Sequence, residues 1–329
     1  MKTGILLINL GTPDSPSVKD VRRYLREFLS DPRVIDLPAP ARWLLLNAFI
    51  LPFRPKKSAH AYQQIWTEQG SPLLIYGQEL TSKLANELGS DYVVALGMRY
   101  GKPSLQDAIS QLSQCAKIII LPLFPQYSSA ATGSAIKASL EIIQRQQAIP
   151  SLQVISDFYQ QQPYVQCLSQ HIRSHWQSEE FLLFSYHGIP ERQIVKAGCQ
   201  QVCSNDCPSI NPENFFCYRA QCYETTRLVA KTLNLNSANY TTSFQSRLGK
   251  TPWIKPYTDE MLEVLVKQGI KKIAITCPAF VADCLETIEE IGIQAKQQWH
   301  ELGGESLRLI PALNAEDSWV KALAEIVRY

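Results

Sequence analysis

The chain has 329 residues, 45% of them hydrophobic and 19% charged, with a formal net charge of +2. That length suits one large or two medium α/β domains with a sizeable core. The near-neutral balance argues against a nucleic-acid partner, which a strong basic excess would mark, and pairs such as Arg22-Arg23, Lys56-Lys57 and Lys271-Lys272 read as solvated faces.

Taken in chain order, Met1-Lys2-Thr3-Gly4 runs straight into an apolar stretch, so no cleavable leader is expected. Strands are predicted over 5–10, 92–96, 117–121, 153–155, 181–186, 240–244, 272–276 and 307–310. Helices are predicted between them, over 17–29, 78–88, 105–115, 133–146, 163–176, 225–233, 259–268 and 282–302. Such alternation means parallel sheets covered by helices on both faces. The first four strands and the last four form two similar halves facing a shared cleft, with boundaries at 1–152 and 153–310 and a final helix within 311–329 packing back on the first half. The apolar stretch 43–53, broken by Asn47 and Pro52, is shorter than the roughly 20 residues that span a bilayer. A soluble, cytoplasmic protein is expected. In that setting nine cysteines favour reduced thiols or metal ligands over disulfides.

Five stretches can carry chemistry. The run Phe181-Leu182-Leu183-Phe184-Ser185-Tyr186-His187 reads as an inner strand stopped by Gly188 and Pro190. Its terminal imidazole is either a capped core histidine or a metal- or proton-binding group at a strand's carboxyl end, where ligands collect in open α/β sheets. In the 277–290 stretch, Asp283, Glu286 and Glu290 at i, i+3, i+7 would share one face of a helix. Such a stripe is either solvated or an oxygen-ligand track for a divalent metal, and crowding of like charges would raise some of its pKa values. Leu96-Gly97-Met98-Arg99-Tyr100 places an arginine able to grip a carboxylate and a tyrosine able to stack on a flat ligand, although an ordinary surface arginine is the simpler reading. The small-polar loop 125–134 opens a helix but matches no phosphate-loop pattern, so a packing turn is expected. Finally, Trp43, Leu44, Leu45, Leu46, Phe49, Ile50, Leu51 and Phe53, followed by Arg54, Lys56 and Lys57, suit a core segment by default, or else a lip over an apolar ligand or a membrane-surface contact.

One segment breaks the α/β pattern. Residues 198–223 are rich in Cys, Asn, Pro and Gln without apolar periodicity and read as a long loop. Cys199, Cys203, Cys207, Cys217 and Cys222 follow C-x3-C-x3-C-x9-C-x4-C. An iron–sulfur cluster, a zinc site and unmetallated thiols all remain open on that spacing.

Taken together, the motifs resemble the ferrochelatase family over nearly the whole chain, and most closely its proteobacterial branch. Those carrying the resemblance are Asn9-Leu10-Gly11-Thr12-Pro13, Gly70-Ser71-Pro72-Leu73, Gly97-Met98-Arg99-Tyr100, Pro125-Gln126-Tyr127-Ser128 with Thr132-Gly133-Ser134, Ser185-Tyr186-His187-Gly188-Ile189-Pro190, Phe244-Gln245-Ser246-Arg247 with Pro252-Trp253, and the stretch 283–290. The resemblance implies the chelatase fold, two Rossmann-like domains with parallel four-stranded sheets around a porphyrin cleft. It implies insertion of Fe2+ into protoporphyrin IX with release of two protons, the last step of heme synthesis. The family's catalytic histidine and glutamate fall on His187 and Glu286, which would meet the iron, and its acidic iron path falls on Asp283 and Glu290. Relatives often have histidine where this chain has Cys284, and no histidine's role is assigned to that thiol. Leu10, Tyr127 and Trp253 are expected as porphyrin walls, Arg99, Tyr100 and Ser246 as contacts to propionates or polar edges, and 43–53 as the active-site lip. Some ferrochelatases carry a [2Fe-2S] cluster, and here an internal one is expected on Cys199, Cys203, Cys207 and Cys217, with Cys222 as the alternative ligand. The partners are then a porphyrin and ferrous iron, with transient peripheral membrane contact because the substrate is greasy. The competing readings are a chelatase for another metal or for coproporphyrin, and a non-enzymatic iron–sulfur or redox-sensing protein.

Overall fold

The computed structural model describes residues 2–199, 201–204, 206–247, 249 and 251–328. Two compact units form: Met1–Phe124, Ser128–Asp157 and Ala315–Tyr329 make the first, and Pro125–Tyr127 with Phe158–Asn314 the second. Tyr329, the end of the predicted final helix, lies outside the described residues.

In the first unit the order is β1 (Thr3–Thr12), α1 (Val18–Ser30), α2 (Ala39–Leu44), a π-helical turn Leu45–Ile50, α3 (Arg54–Ile65), α4 (Pro72–Leu88), β2 (Tyr92–Gly101), α5 (Leu105–Gln111), β3 (Lys117–Pro122), a π-helical turn Ser129–Gly133, α6 (Ser134–Ile143) and β4 (Ser151–Val154). All four strands are parallel in the order β2-β1-β3-β4. Ile5 to Ile8 of β1 are fully buried, which is why an unbroken apolar run marks this strand. Helix ends follow local chemistry. Ser17 accepts a hydrogen bond from the Asp20 amide at the start of α1, and Ser104 and Asp107 cap α5 reciprocally.

The second unit repeats the plan with α7 (Gln162–His175), β5 (Phe181–His187), α8 (Glu191–Lys196), α9 (Tyr218–Leu233), β6 (Tyr240–Gln245), α10 (Thr258–Lys267), β7 (Lys272–Thr276), a π-helix Leu285–Ala295, α11 (Lys296–Glu301) and β8 (Ser306–Leu309). Its parallel order is β6-β5-β7-β8. The chain steps from β5 outward to β6 and then crosses back to β7. The reversal of strand order therefore falls between the carboxyl ends of β5 and β7, the place where an open α/β sheet leaves a crevice. Helix α12 (Asp317–Arg328) belongs to the first unit, where Lys83 of α4 donates to Ala315 O at 2.8 Å and pairs with Asp317 at 3.0 Å.

Two expectations change here. The cysteine-rich loop ends at Cys217, the N-cap residue of α9, so Cys222 is helical. Its first turns carry no sequence signal because α9 buries polar groups on several faces, among them Arg219, Gln221, Thr225 and Thr226, which erases the apolar period. The 43–53 segment is not core: Leu46 and Leu51 are buried, but Trp43, Leu44, Phe49 and Phe53 are exposed, the last at 75%. Bulk and hydrophobicity alone do not say which side of a short helix finds a partner.

Candidate active site

His187 is the last residue of β5, in register with Gln245 of β6. Its Nδ1 lies 2.5 Å from Gly188 O. A carbonyl only accepts, so Nδ1 carries the proton and Nε2 keeps its lone pair for an incoming proton or cation. Trp253 and Phe280 flank the imidazole, with ring centroids at 6.4 and 6.2 Å. Gly188 is required by close approach. Its amide donates to Gln245 O at 2.8 Å, and a Cβ would sit 2.8 Å from that oxygen and 3.2 Å from the Trp253 ring.

The acidic residues come from the segment after β7, on the other side of the crevice. The predicted three-membered stripe does not form. Cys284 is the N-cap residue of the Leu285–Ala295 helix, which leaves Asp283 outside it, and the helix is π-wound rather than α-wound. Asp283 is buried and fully partnered: Oδ1 accepts from Thr287 Oγ1 at 2.8 Å and Ala312 N at 3.2 Å, and Oδ2 from Asn314 Nδ2 at 2.8 Å. It holds the 312–314 loop to the helix start, in contrast to its expected place on an iron path. Glu286 and Glu290 remain one wide turn apart.

Glu290 accepts from Ser246 N at 2.7 Å and Ser246 Oγ at 2.6 Å. Those bonds hold Ser246 at φ 67°, a left-handed conformation rare for a side-chain-bearing residue. Ser246 therefore anchors Glu290 instead of standing free for a propionate. Gln245 ties the two sides of the crevice together. Its Oε1 accepts from Ser185 Oγ at 2.8 Å, and its Nε2 donates to Glu286 O at 2.6 Å. The sequence offered Gln245 only as part of a motif, since an amide crossbar has no signature of its own.

Burial raises the Glu290 carboxyl, and the nearby Glu286 charge adds to this, while the Ser246 bonds and His187 oppose it. A carboxyl whose folded pKa lies above its unfolded value binds more protons folded than unfolded across that interval. Its contribution therefore disfavours the folded state increasingly as pH rises through the interval, starting near the ordinary glutamate value of about 4.3. Replacing Glu290 by Gln removes this titration. The urea midpoint of Glu290→Gln is expected to fall less than that of wild type between about pH 4 and pH 7, and parallel curves would refute the assignment.

Leu10 (in β1), Arg99 and Tyr100 (both in β2) belong to the first unit. The structure corrects the reading of Tyr100 as a stacking platform. Tyr100 is 1% exposed, lies against Phe28 and the Arg99 guanidinium, and donates its hydroxyl to Asp31 at 2.9 Å. Arg99 is likewise engaged, with Nη2 on Asp31 and Nε on Ser134 Oγ, both at 2.7 Å. Burial pushes the Asp31 carboxyl up, but hydrogen bonds from Ser134, the Arg33 amide and Tyr100 and the Arg99 charge prevail, leaving it below its ordinary value. A cavity of about 280 Å³ adjoins this cluster, lined by Arg33, Lys137 and Glu141 among others. Tyr127 and Trp253 belong to the second unit. The Tyr127 amide donates to Gln221 at 2.6 Å, and its ring meets Phe216 edge-on.

Comparison with known proteins decides the family. The model of the family described as ferrochelatase matches residues 2–329. A ferrochelatase of Legionella pneumophila (strain Lens) is 55% identical over 99% of both chains, and one of Coxiella burnetii (strain CbuK_Q154) is 52% identical over 99% of this chain and 93% of its own. The chain belongs to the ferrochelatase family. With the family come its reaction, insertion of ferrous iron into a porphyrin, and its place in heme synthesis. Among solved structures, SirB from Bacillus subtilis with Fe3+ is similar in fold, with a TM-score of 0.55 at 10% identity over 100% of this chain and 95% of that one. The same fold appears in SirB from Bacillus subtilis subspecies spizizenii in complex with cobalt, with a TM-score of 0.53 over 94% of that chain. Both support the chelatase fold of two parallel sheets flanked by helices.

In this ferrochelatase the cysteines of the long loop lie near one another in pairs. The Cys207 thiol donates to Cys217, which lowers the Cys217 pKa and raises that of Cys207, while Cys199 contacts Cys217 and Cys203 contacts Cys207. Arg219 Nη1 donates to Cys207 Sγ at 2.9 Å. Cys222 stands apart inside α9, fully buried beside Tyr218. Among the described residues no group of three or more His, Cys, Asp or Glu side chains is gathered as a metal site. No helix among the described residues is long and apolar enough to cross a membrane.

Proposed function

We propose that this ferrochelatase inserts Fe2+ into protoporphyrin IX with His187 as proton acceptor and Glu286 and Glu290 as the acidic partner. The observation that carries the reading is the imidazole itself, with Nδ1 committed to Gly188 O, Nε2 left as the lone-pair nitrogen, and Trp253 and Phe280 flanking the ring. As iron enters, the macrocycle loses its two N–H protons and all four of its nitrogens bind the metal. One proton passes to Nε2 of His187. The second passes to the carboxylate pair, where burial pushes the Glu290 carboxyl up and so favours its taking a proton. Before that, Glu286 offers the entering ferrous ion an oxygen ligand, a donor that iron takes readily beside imidazole. Trp253 and Phe280 supply an apolar wall for the ring system.

The loop cysteines are the proposed ligands of a [2Fe-2S] cluster, for which they would have to draw together from their present pairs. Cys199 meets Cys217, Cys217 meets Cys207 and Cys207 meets Cys203, and the buried Arg219 beside Cys207 would balance the charge of thiolate ligands. When bound, such a cluster supplies a redox-active cross-link that fixes the loop. The exposed Trp43, Leu44, Phe49 and Phe53, followed by Arg54, Lys56 and Lys57, suit peripheral contact with an anionic membrane surface that delivers the greasy substrate.

One anaerobic preparation tests both parts. Glu286→Gln is expected to lower the rate of protoporphyrin metallation by about a hundredfold or more, with wild-type rates in the folded variant refuting the role. The same wild-type sample is expected to contain stoichiometric iron and acid-labile sulfide, and their absence would remove the cluster.

A further inference from the structure

We propose that Gln245 is a positioning residue that sets the Glu286–Glu290 pair against His187, its amide aimed by a buried chain of hydroxyls. The inference rests on the reading above of the two glutamates as the acidic partner. Gln245 is the last residue of β6, 3% exposed, and β5, the end of β7 and the Leu285–Ala295 helix all meet on it. Its backbone carbonyl accepts from Gly188 N at 2.8 Å, one residue past His187. Its Oε1 accepts from Ser185 Oγ of β5 at 2.8 Å and from the Cys277 thiol, which follows β7, at 3.6 Å. Its Nε2 donates to Glu286 O at 2.6 Å and faces Glu290 Oε2 at 3.4 Å. One residue therefore spans from the strand that carries the imidazole to the helix that carries both carboxyl groups.

The amide can point only one way. A backbone carbonyl accepts and never donates, so the nitrogen must face Glu286 O and the oxygen must face Ser185. A hydroxyl has one proton to give. That of Ser185 goes to Oε1, so Ser185 accepts from Thr258 Oγ1 at 2.8 Å, and Thr258 in turn accepts from Ser243 Oγ at 2.8 Å. Donation thus runs in one direction through the interior, from Ser243 to Thr258, to Ser185 and to Gln245. All four residues are at most 4% exposed. In so buried a setting aligned bonds strengthen one another, and a broken link leaves polar atoms unpaired. An apolar side chain of the same length would fill the space between β6 and the helix. What the amide adds is a fixed spacing between the His187 strand and the Glu286 peptide. A displacement of about 1 Å at a reacting group changes a rate by about a hundredfold.

The kinetic constants for the two substrates separate positioning from packing. Anaerobic iron insertion is measured for wild type, Gln245→Met, Ser185→Ala, Glu286→Gln and the Gln245→Met, Glu286→Gln double variant, each checked for folding by circular dichroism. Methionine keeps the length of the side chain and removes the amide's hydrogen bonds. Gln245→Met is expected to lower kcat about ten- to a hundredfold and to raise the Fe2+ KM about threefold or more, with the porphyrin KM within about twofold. Ser185→Ala, which leaves the amide in place but unaimed, should move both constants in the same direction by less. Should Gln245→Met fail to fold, Ser185→Ala and its double variant with Glu286→Gln carry the comparison. With the Glu286 charge gone there is less to place, so Gln245→Met should deepen the loss in Glu286→Gln by no more than about threefold. A merely structural Gln245 would lower the thermal midpoint and leave the Fe2+ KM alone. That result, a wild-type kcat, or full additivity in the cycle overturns the positioning role alone. Wild-type rates in folded Glu286→Gln overturn the acidic-partner reading and the positioning role with it.

Discussion

His187→Ala is expected to lower kcat for iron insertion by about 10²- to 10⁴-fold, the usual worth of a positioned proton acceptor, or about 3 to 5 kcal/mol of barrier. The porphyrin KM should change little, because the substitution leaves Trp253 and Phe280, the proposed wall, in place. The ring stands at a strand end and is only half-buried, so its loss leaves the β5 ladder intact and the thermal midpoint close to wild type. Anaerobic steady-state metallation checks the rate. Added imidazole should restore part of it, and a series of substituted imidazoles separates the two roles open to this residue. A rescue rate that follows imidazole basicity indicates proton acceptance. A wild-type kcat in the folded variant would show that the proton leaves by another route.

The second large effect is expected at Gly188. An added methyl would stand 2.8 Å from the Gln245 carbonyl, a backbone atom that cannot swing aside, and 3.2 Å from the Trp253 ring. Something in the β5–β6 end must move, and crowding of this kind typically costs about 1 to 3 kcal/mol. The same movement displaces Gly188 O, the acceptor that fixes the His187 tautomer. Gly188→Ala is therefore expected to lower both the urea midpoint and kcat. If the kinetic loss acts through the imidazole, Gly188→Ala adds little to it in a His187→Ala background, where there is no ring left to misplace. Full additivity in that cycle would place the effect of Gly188 elsewhere.

Some of this was legible in the residues and some was not, for reasons that can be traced. The inner strands β1 and β5 showed themselves because an inner parallel strand buries both faces, leaving unbroken apolar runs such as Ile5 to Ile8. The start of α9 did not, because a helix with Arg219 and Gln221 buried alongside Tyr218 and Ala220 has no apolar period to detect. The acidic stripe failed as drawn because i, i+3, i+7 is an α-helical rule, while this helix is π-wound and begins after Asp283. In the sequence Tyr100 reads as a stacking platform, because nothing local reveals Asp31, 69 residues away, which takes its hydroxyl.

By itself the sequence determined the alternation that makes two parallel sheets, the strand that ends in His187, the glycine that must follow it, and the set of ordered motifs that places the chain among ferrochelatases. These are consequences of neighbours along the chain: burial runs, turn residues and short spacings. Only the tertiary structure decided which nitrogen of His187 meets the Gly188 carbonyl, that Glu290 is anchored on Ser246 while Asp283 holds a loop, and that Tyr218 donates to the His187 carbonyl and Arg219 to Cys207. Each of those depends on a hydrogen bond between residues brought together by strand register and helix packing, and no local pattern encodes such a bond.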